Sequence, residues 1–269
     1  MKNNQNELAK SLKSVFAATV IPVALIVAVC VFKYIMGAPA NFQGGNPENL
    51  PLPGNYLGTI YKGGFIVPIL MTFLLTVITF SFERFFTLTR AAGKGSVTKF
   101  VQSVKKLLDQ HKIDEAVALC DKQKGSVANV IKSGLERYKG VEGEDLLKDQ
   151  KILAIQKEVE EATSLELPSL EANLVILSTL ASVSTLMGLL GTVMGMIRAF
   201  SAMAQAGAPD SVALSVGISE ALINTAFGIG TSALAIIMYN IFTTKIDKLT
   251  FSIDEAGFSI AQTYAANHK

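Results

Sequence analysis

Two ionisable residues, Arg198 and Glu220, lie inside long apolar runs of this sequence. A charge within hydrocarbon costs on the order of 3 kcal/mol or more on insertion scales, so such residues are functional candidates by default. Hydroxyls recur around them. Ser178, Ser182, Thr185 and Thr192 fall at i, i+4, i+7 and i+14, one helical face. Thr225, Gly228 and Ser232 fall at i, i+3 and i+7. Hydroxyls can relay or orient water but cannot hold a charge, and in membranes they also bond back to their own backbone or join neighbouring helices. The two stripes are therefore either a lined path or a polar seam. No phosphate-cradling loop, Ser/His/Asp set or metal-ligand cluster can be assembled, so neither an enzyme nor a cofactor or metal is expected. His111 and His268 stand alone in charged surroundings and read as solvated. Cys30 sits in an apolar segment and Cys120 in a charged one, which argues against a disulfide framework.

These residues must be positioned by two apolar runs, Leu174–Met203 and Val212–Phe242, joined by Ala204–Ser211. Each run exceeds the roughly 20 residues that span a bilayer core, and Gly207, Pro209 and Asp210 supply turn chemistry. In an antiparallel hairpin, residues at one depth keep a constant index sum. Arg198 then shares a level with Glu220, and Thr192 with Thr225. The levels differ by roughly 8–9 Å at 1.5 Å per residue, with the threonines deeper. Pairing Arg198 with Glu220 would relieve the cost of burying each; the alternative is that each snorkels separately to the outer surface. Gly191 and Gly195 have small-xxx-small spacing, and with Gly188 and Gly228 are expected to allow close helix contact.

Within these runs, Gly188-Leu189-Leu190-Gly191-Thr192-Val193-Met194-Gly195-Met196 resembles a motif of the MotA/TolQ/ExbB proton-channel family, in its second transmembrane helix. Gly217 to Gly228 (GISEALINTAFG) resembles the motif of its third, and Met238-Tyr239-Asn240 the "YN" that ends it. The wording is closest to the ExbB/TolQ branch. Asn224 stands where the family has a small residue, and Ser232–Ile236 lacks a proline that ExbB and TolQ commonly carry there.

The rest of the chain suits a polytopic membrane protein. Its 269 residues are half apolar and the net charge of +2 is too small to point to nucleic acid. Residues 1–14 are polar and carry Lys2, Lys10 and Lys13; residues 15–36 are almost wholly apolar. Ala38-Pro39-Ala40 imitates a signal-peptidase site, but signal h-regions run about 7–15 residues and this run is longer, so a retained helix is expected. Residues 37–64, rich in Gly, Pro and Asn, read as an irregular exposed loop, and 65–83 as a second span with Glu83-Arg84 at its exit. Residues 84–171 are densely charged and helical in period. Val101, Val104, Leu107 and Leu108 make one face, Ile113, Ala116, Val117 and Cys120 another, and Ile152, Ile155, Val159, Ala162 and Leu165 a third running towards Pro168. Gly140 and Gly143 are expected to break this domain. After the hairpin, 172–243, residues 244–269 carry Ile246, Leu249, Ile253 and Ile260 on one face. The fold class is thus all-α, with long transmembrane helices extending into a cytoplasmic helical domain. Basic residues place both termini and 84–171 inside, with 37–64 and 204–211 outside.

The resemblance implies an ExbB-like subunit, a homo-oligomer and pentamer, in the inner membrane of a Gram-negative bacterium. Its implied partners are an ExbD-like single-span protein with a membrane aspartate and a TonB-like protein. It would use proton-motive force to energise transport across the outer membrane. It assigns the proton path to Thr192 and Thr225; Ser178, Ser182, Thr185 and Ser232 are added as pore-lining candidates on their spacing. The first span is additional to the three usual in ExbB-like proteins; four spans suit a MotA-like stator. A TolQ-like subunit and a non-conducting scaffold are the other readings.

Overall fold

The computed structural model describes residues 18–205 and 211–268. Residues 1–14 and most of the Ala204–Ser211 turn lie outside them. The described residues are all-α with no strand: α1 (Ala18–Met36), α2 (Tyr56–Tyr61), α3 (Ile66–Ala92), α4 (Val97–Asp109), α5 (Ile113–Gln123), α6 (Ser126–Glu142), α7 (Lys148–Glu171), α8 (Leu174–Gln205) and α9 (Ser211–Asn267). Four stretches, containing α1, α3, α8 and α9, are long and apolar enough to cross a membrane. The chain divides into two compact units, Met1–Phe82 with Val175–Tyr239, and Glu83–Leu174 with Asn240–Lys269.

In the first unit, α1 presents Ile21, Val23, Leu25, Ile26, Val27 and Val29 outward, while Ala28 and Met36 pack on Val67 and Met71 of α3. Apart from two 3-10 turns and α2, the segment 37–64 has no regular structure, yet side chains tie it down. Asn41 is buried and its Nδ2 donates to the carbonyls of Ile35 (2.8 Å) and Met36 (2.9 Å), closing the end of α1. Phe42, 2% exposed, meets Tyr61 edge-on, and Tyr61 stacks on Phe32 at 4.7 Å. Asn55 caps α2 by accepting from Gly58 N. Lys62 Nζ donates to the Pro47 and Glu48 carbonyls, both at 2.9 Å. Gly, Pro and Asn here satisfy a backbone that has no apolar period to advertise it.

The core of the second unit joins Val101, Val104 and Leu108 of α4, Ala116 and Cys120 of α5, Ile131 and Leu135 of α6, and Ile155 and Val159 of α7 to Ile246, Leu249, Ile253 and Ile260 of α9. Several expectations need correction. Gly140 lies within α6, and only Gly143 ends it. Leu165 leaves the buried face and is 81% exposed. His268 is not isolated: its ring stacks on Tyr264 at 4.2 Å and its Nε2 lies 3.7 Å from Glu142. Consistent with the sequence reading, the helix carrying Glu83 and Arg84 runs on to Ala92, and α7 runs through Pro168 to end just before Asn173, which takes φ 63. Lacking its usual proline, α9 is helical through Ser232–Ile236. Both cysteines are free.

Arg84 is 1% exposed. It pairs with Glu83, and its Nη1 donates to the carbonyls of Ser169 (3.4 Å) and Leu170 (3.3 Å). Those carbonyls belong to the last turn of α7, where no intrahelical donor remains. Glu83 in turn accepts from Thr87 and from Asn173 Nδ2.

Candidate functional site

Helices α8 and α9 meet along small residues. A Cβ on Gly188 would lie 3.0 Å from the Asn224 carbonyl and from Gly228 Cα. One on Gly195 would lie 2.8 Å from Ala221 N, and one on Gly217 2.7 Å from Ala199 Cβ. Gly228 faces the Ser184 carbonyl and Gly188. Backbone against backbone leaves no room for side chains, so the polar groups that do enter this seam are held closely.

On one level of the seam, Thr192 and Thr225 share a hydrogen bond between their hydroxyls. The Ala221 carbonyl lies 3.1 Å from Thr225 Oγ1 and 3.5 Å from Thr192 Oγ1, and the Gly188 carbonyl 3.2 Å from Thr192 Oγ1. A hydroxyl has one proton and two acceptor sites. One threonine can therefore donate to the other while the second donates to a carbonyl, and the sense of donation can reverse. Among the described residues no carboxylate of this chain bonds either hydroxyl.

At another level Arg198 Nη1 lies 2.5 Å from Glu220 Oε1. The Glu220 side chain is 6% exposed and that of Arg198 46%. The pair is shaped by a third segment. Gly64 has φ 76, and a Cβ there would sit 2.5 Å from Glu220 Oε1 and 3.3 Å from Arg198 Nη1. The guanidinium lies 5.6 Å above the Phe65 ring. Asn224 Nδ2, fully buried, donates to the Gly63 carbonyl at 2.9 Å. Glycine at 64 is required both for its left-handed backbone and for the space the carboxylate occupies.

The structure brings together Arg198 with Glu220, Thr192 with Thr225, and Gly188, Gly191, Gly195 and Gly228 along the seam. Ser232 joins the seam by donating to the Ala181 carbonyl. Ser178 bonds back to the Val175 carbonyl at 3.0 Å, Ser182 is exposed and Thr185 half-buried. None of these three is hydrogen-bonded to the threonine pair. Gly64, Phe65 and Asn224 were not foreseen as parts of the site. The one available signal was Asn224 itself, a polar residue at a position where a small one is usual. Ser184 and Thr231 are also buried on the hairpin, and their hydroxyls, like Asn224 Oδ1, have no partner among the described residues.

Residues 122–255 match the profile of the MotA/TolQ/ExbB proton channel family. The chain is 33% identical over 112 residues to a putative biopolymer transport protein ExbB-like 3 of Synechocystis sp., covering 41% of this chain and 53% of that protein. It is 38% identical over 88 residues to the Tol-Pal system protein TolQ of Haemophilus influenzae, 33% of this chain and 39% of TolQ. It is 37% identical over 70 residues to the biopolymer transport protein ExbB of Salmonella typhimurium, 26% and 29% of the two chains. The chain thus spans about half or less of the length of these relatives.

Proposed function

Because residues 122–255 belong to the MotA/TolQ/ExbB proton channel family, we propose that this chain is the ExbB-like channel subunit of an inner-membrane motor driven by proton-motive force. The observation that carries this reading is the hydroxyl pair Thr192–Thr225, which can pass a proton but, among the described residues, has no carboxylate bonded to it. Translocation needs a group that takes and releases a proton. Glu220 is a level away and engaged by Arg198. The titrating carboxylate then comes from a partner helix, as an ExbD-like single-span protein with a membrane aspartate would supply. Ser178, Ser182, Thr185 and Ser232 are the further lining residues of this proposal. A pentamer of this chain around such partners, coupled to a TonB-like protein in a Gram-negative inner membrane, completes the reading. Thr192→Val and Thr225→Val keep shape and remove the hydroxyls. Each is expected to leave the complex assembled and to abolish proton flux into liposomes. Normal flux through both, or robust flux from this chain without a partner, would overturn the assignment and transfer the carrier role to Glu220.

The 38% identity to TolQ over 88 residues favours a second reading, the same channel serving a Tol-like envelope system. Deleting the gene separates the two. Loss of outer-membrane-receptor uptake alone indicates the ExbB-like role, and loss of envelope integrity alone the TolQ-like one.

A further inference from the structure

We propose that Asn240, Thr244, Lys245 and Lys248 form a headgroup site for an anionic phospholipid. With Ile241 these residues line a shallow groove along α9. Their spacing keeps them on one stripe of the helix. The stripe begins where the apolar run of α9 ends, the level at which lipid phosphates lie.

Here unmatched charge lies beside bare apolar surface. Several cations of the same unit are met by acids: Lys132 with Asp121 at 2.6 Å, Arg137 with Glu144 at 2.6 Å, Lys139 with Asp114 at 2.5 Å. Lys245 and Lys248 have no carboxylate within 4.0 Å among the described residues. Lys245 is held instead by neutral groups. Its Nζ donates to Thr89 Oγ1 at 3.3 Å and lies 5.4 Å over the Phe85 ring. An ammonium has three donors, and this arrangement occupies one. Phe85, Phe86 and Ile241 are 54%, 62% and 53% exposed. A free phosphate would answer the charges only. A phosphodiester headgroup with acyl chains answers the lysines and the apolar rings together.

The chain contains no tryptophan, so Ile241→Trp installs a single reporter in the full-length protein. In phosphatidylcholine bilayers, brominated phosphatidylglycerol should quench this tryptophan far more than brominated phosphatidylcholine at equal mole fraction. Lys245→Gln with Lys248→Gln should lower that preference about thirtyfold, as two juxtamembrane cations predict. Lys245→Arg with Lys248→Arg should keep it, and millimolar inorganic phosphate should not disturb it. Without the reporter, wild-type protein purified from an equal mixture of the two lipids should retain phosphatidylglycerol, and the double Gln variant should not. Equal quenching or equal retention of both lipids, a preference that survives the Gln changes, or displacement by phosphate would overturn the proposal. So would the absence of quenching by either lipid, which would mean that protein covers the groove.

Discussion

Glu220 is a buried carboxylate whose charge is met by one guanidinium at 2.5 Å, half open to solvent. Removing one partner of a buried pair leaves the other unpaired, which costs more than the pair itself contributes. With Arg198 46% exposed the coupling sits at the modest end, about 1 kcal/mol. A double-mutant cycle with Arg198→Ala and Glu220→Ala, read by thermal unfolding of the detergent-solubilised chain, should therefore be non-additive by that amount; strict additivity would mean no direct contact. This pair was legible in the sequence because hairpin arithmetic needs only two helices and a turn. Gly64, Phe65 and Asn224 were not, because periodicity shows which residues share a face and not which distant segment docks on it. Asn224 bonds a carbonyl 161 positions away.

Among the elements, α7 is closed by a residue outside itself. Arg84 supplies donors to carbonyls that the end of α7 leaves free, while Asn173 takes the left-handed turn and ties back to Glu83. Arg84→Met removes both donors and strands Glu83. The expected result is faster hydrogen exchange at the amides of 169–175, by a factor corresponding to about 3 kcal/mol of lost local stability. Unchanged protection there would show that Arg84 is not the cap. In the sequence, Glu83-Arg84 reads only as the polar exit of a span, since nothing in its neighbours reveals that a helix end 85 residues on will receive it. Helix faces such as Val101–Val104–Leu108 were readable from period; the segment 37–64 was not, because its order comes from asparagine and aromatic contacts without repeat.

For the molecule as a whole, basic residues predict 37–64 outside and 84–171 inside. Lys62, the one basic residue of the outer segment, is spent on the Pro47 and Glu48 carbonyls. With Cys30 and Cys120 changed to Ala, a cysteine replacing exposed Asn46 should react with an impermeant maleimide in intact cells. One replacing exposed Gln110 should react only after permeabilisation. The reverse pattern would invert the topology. The four apolar stretches and the helical class were plain in the sequence, because a long uncharged run has few other fates.

The glycine seam has a consequence for inheritance. Gly188, Gly195 and Gly228 each abut main-chain atoms of the opposite helix, and main chain cannot be altered by mutation. A larger residue at any of them has no second-site remedy in the facing helix. Gly191 differs, because it abuts the Asn224 side chain. Of these four glycines it alone can drift, and only in concert with position 224, whose side chain also anchors Gly63. A lineage that enlarges residue 191 must therefore abandon that anchor in the same step.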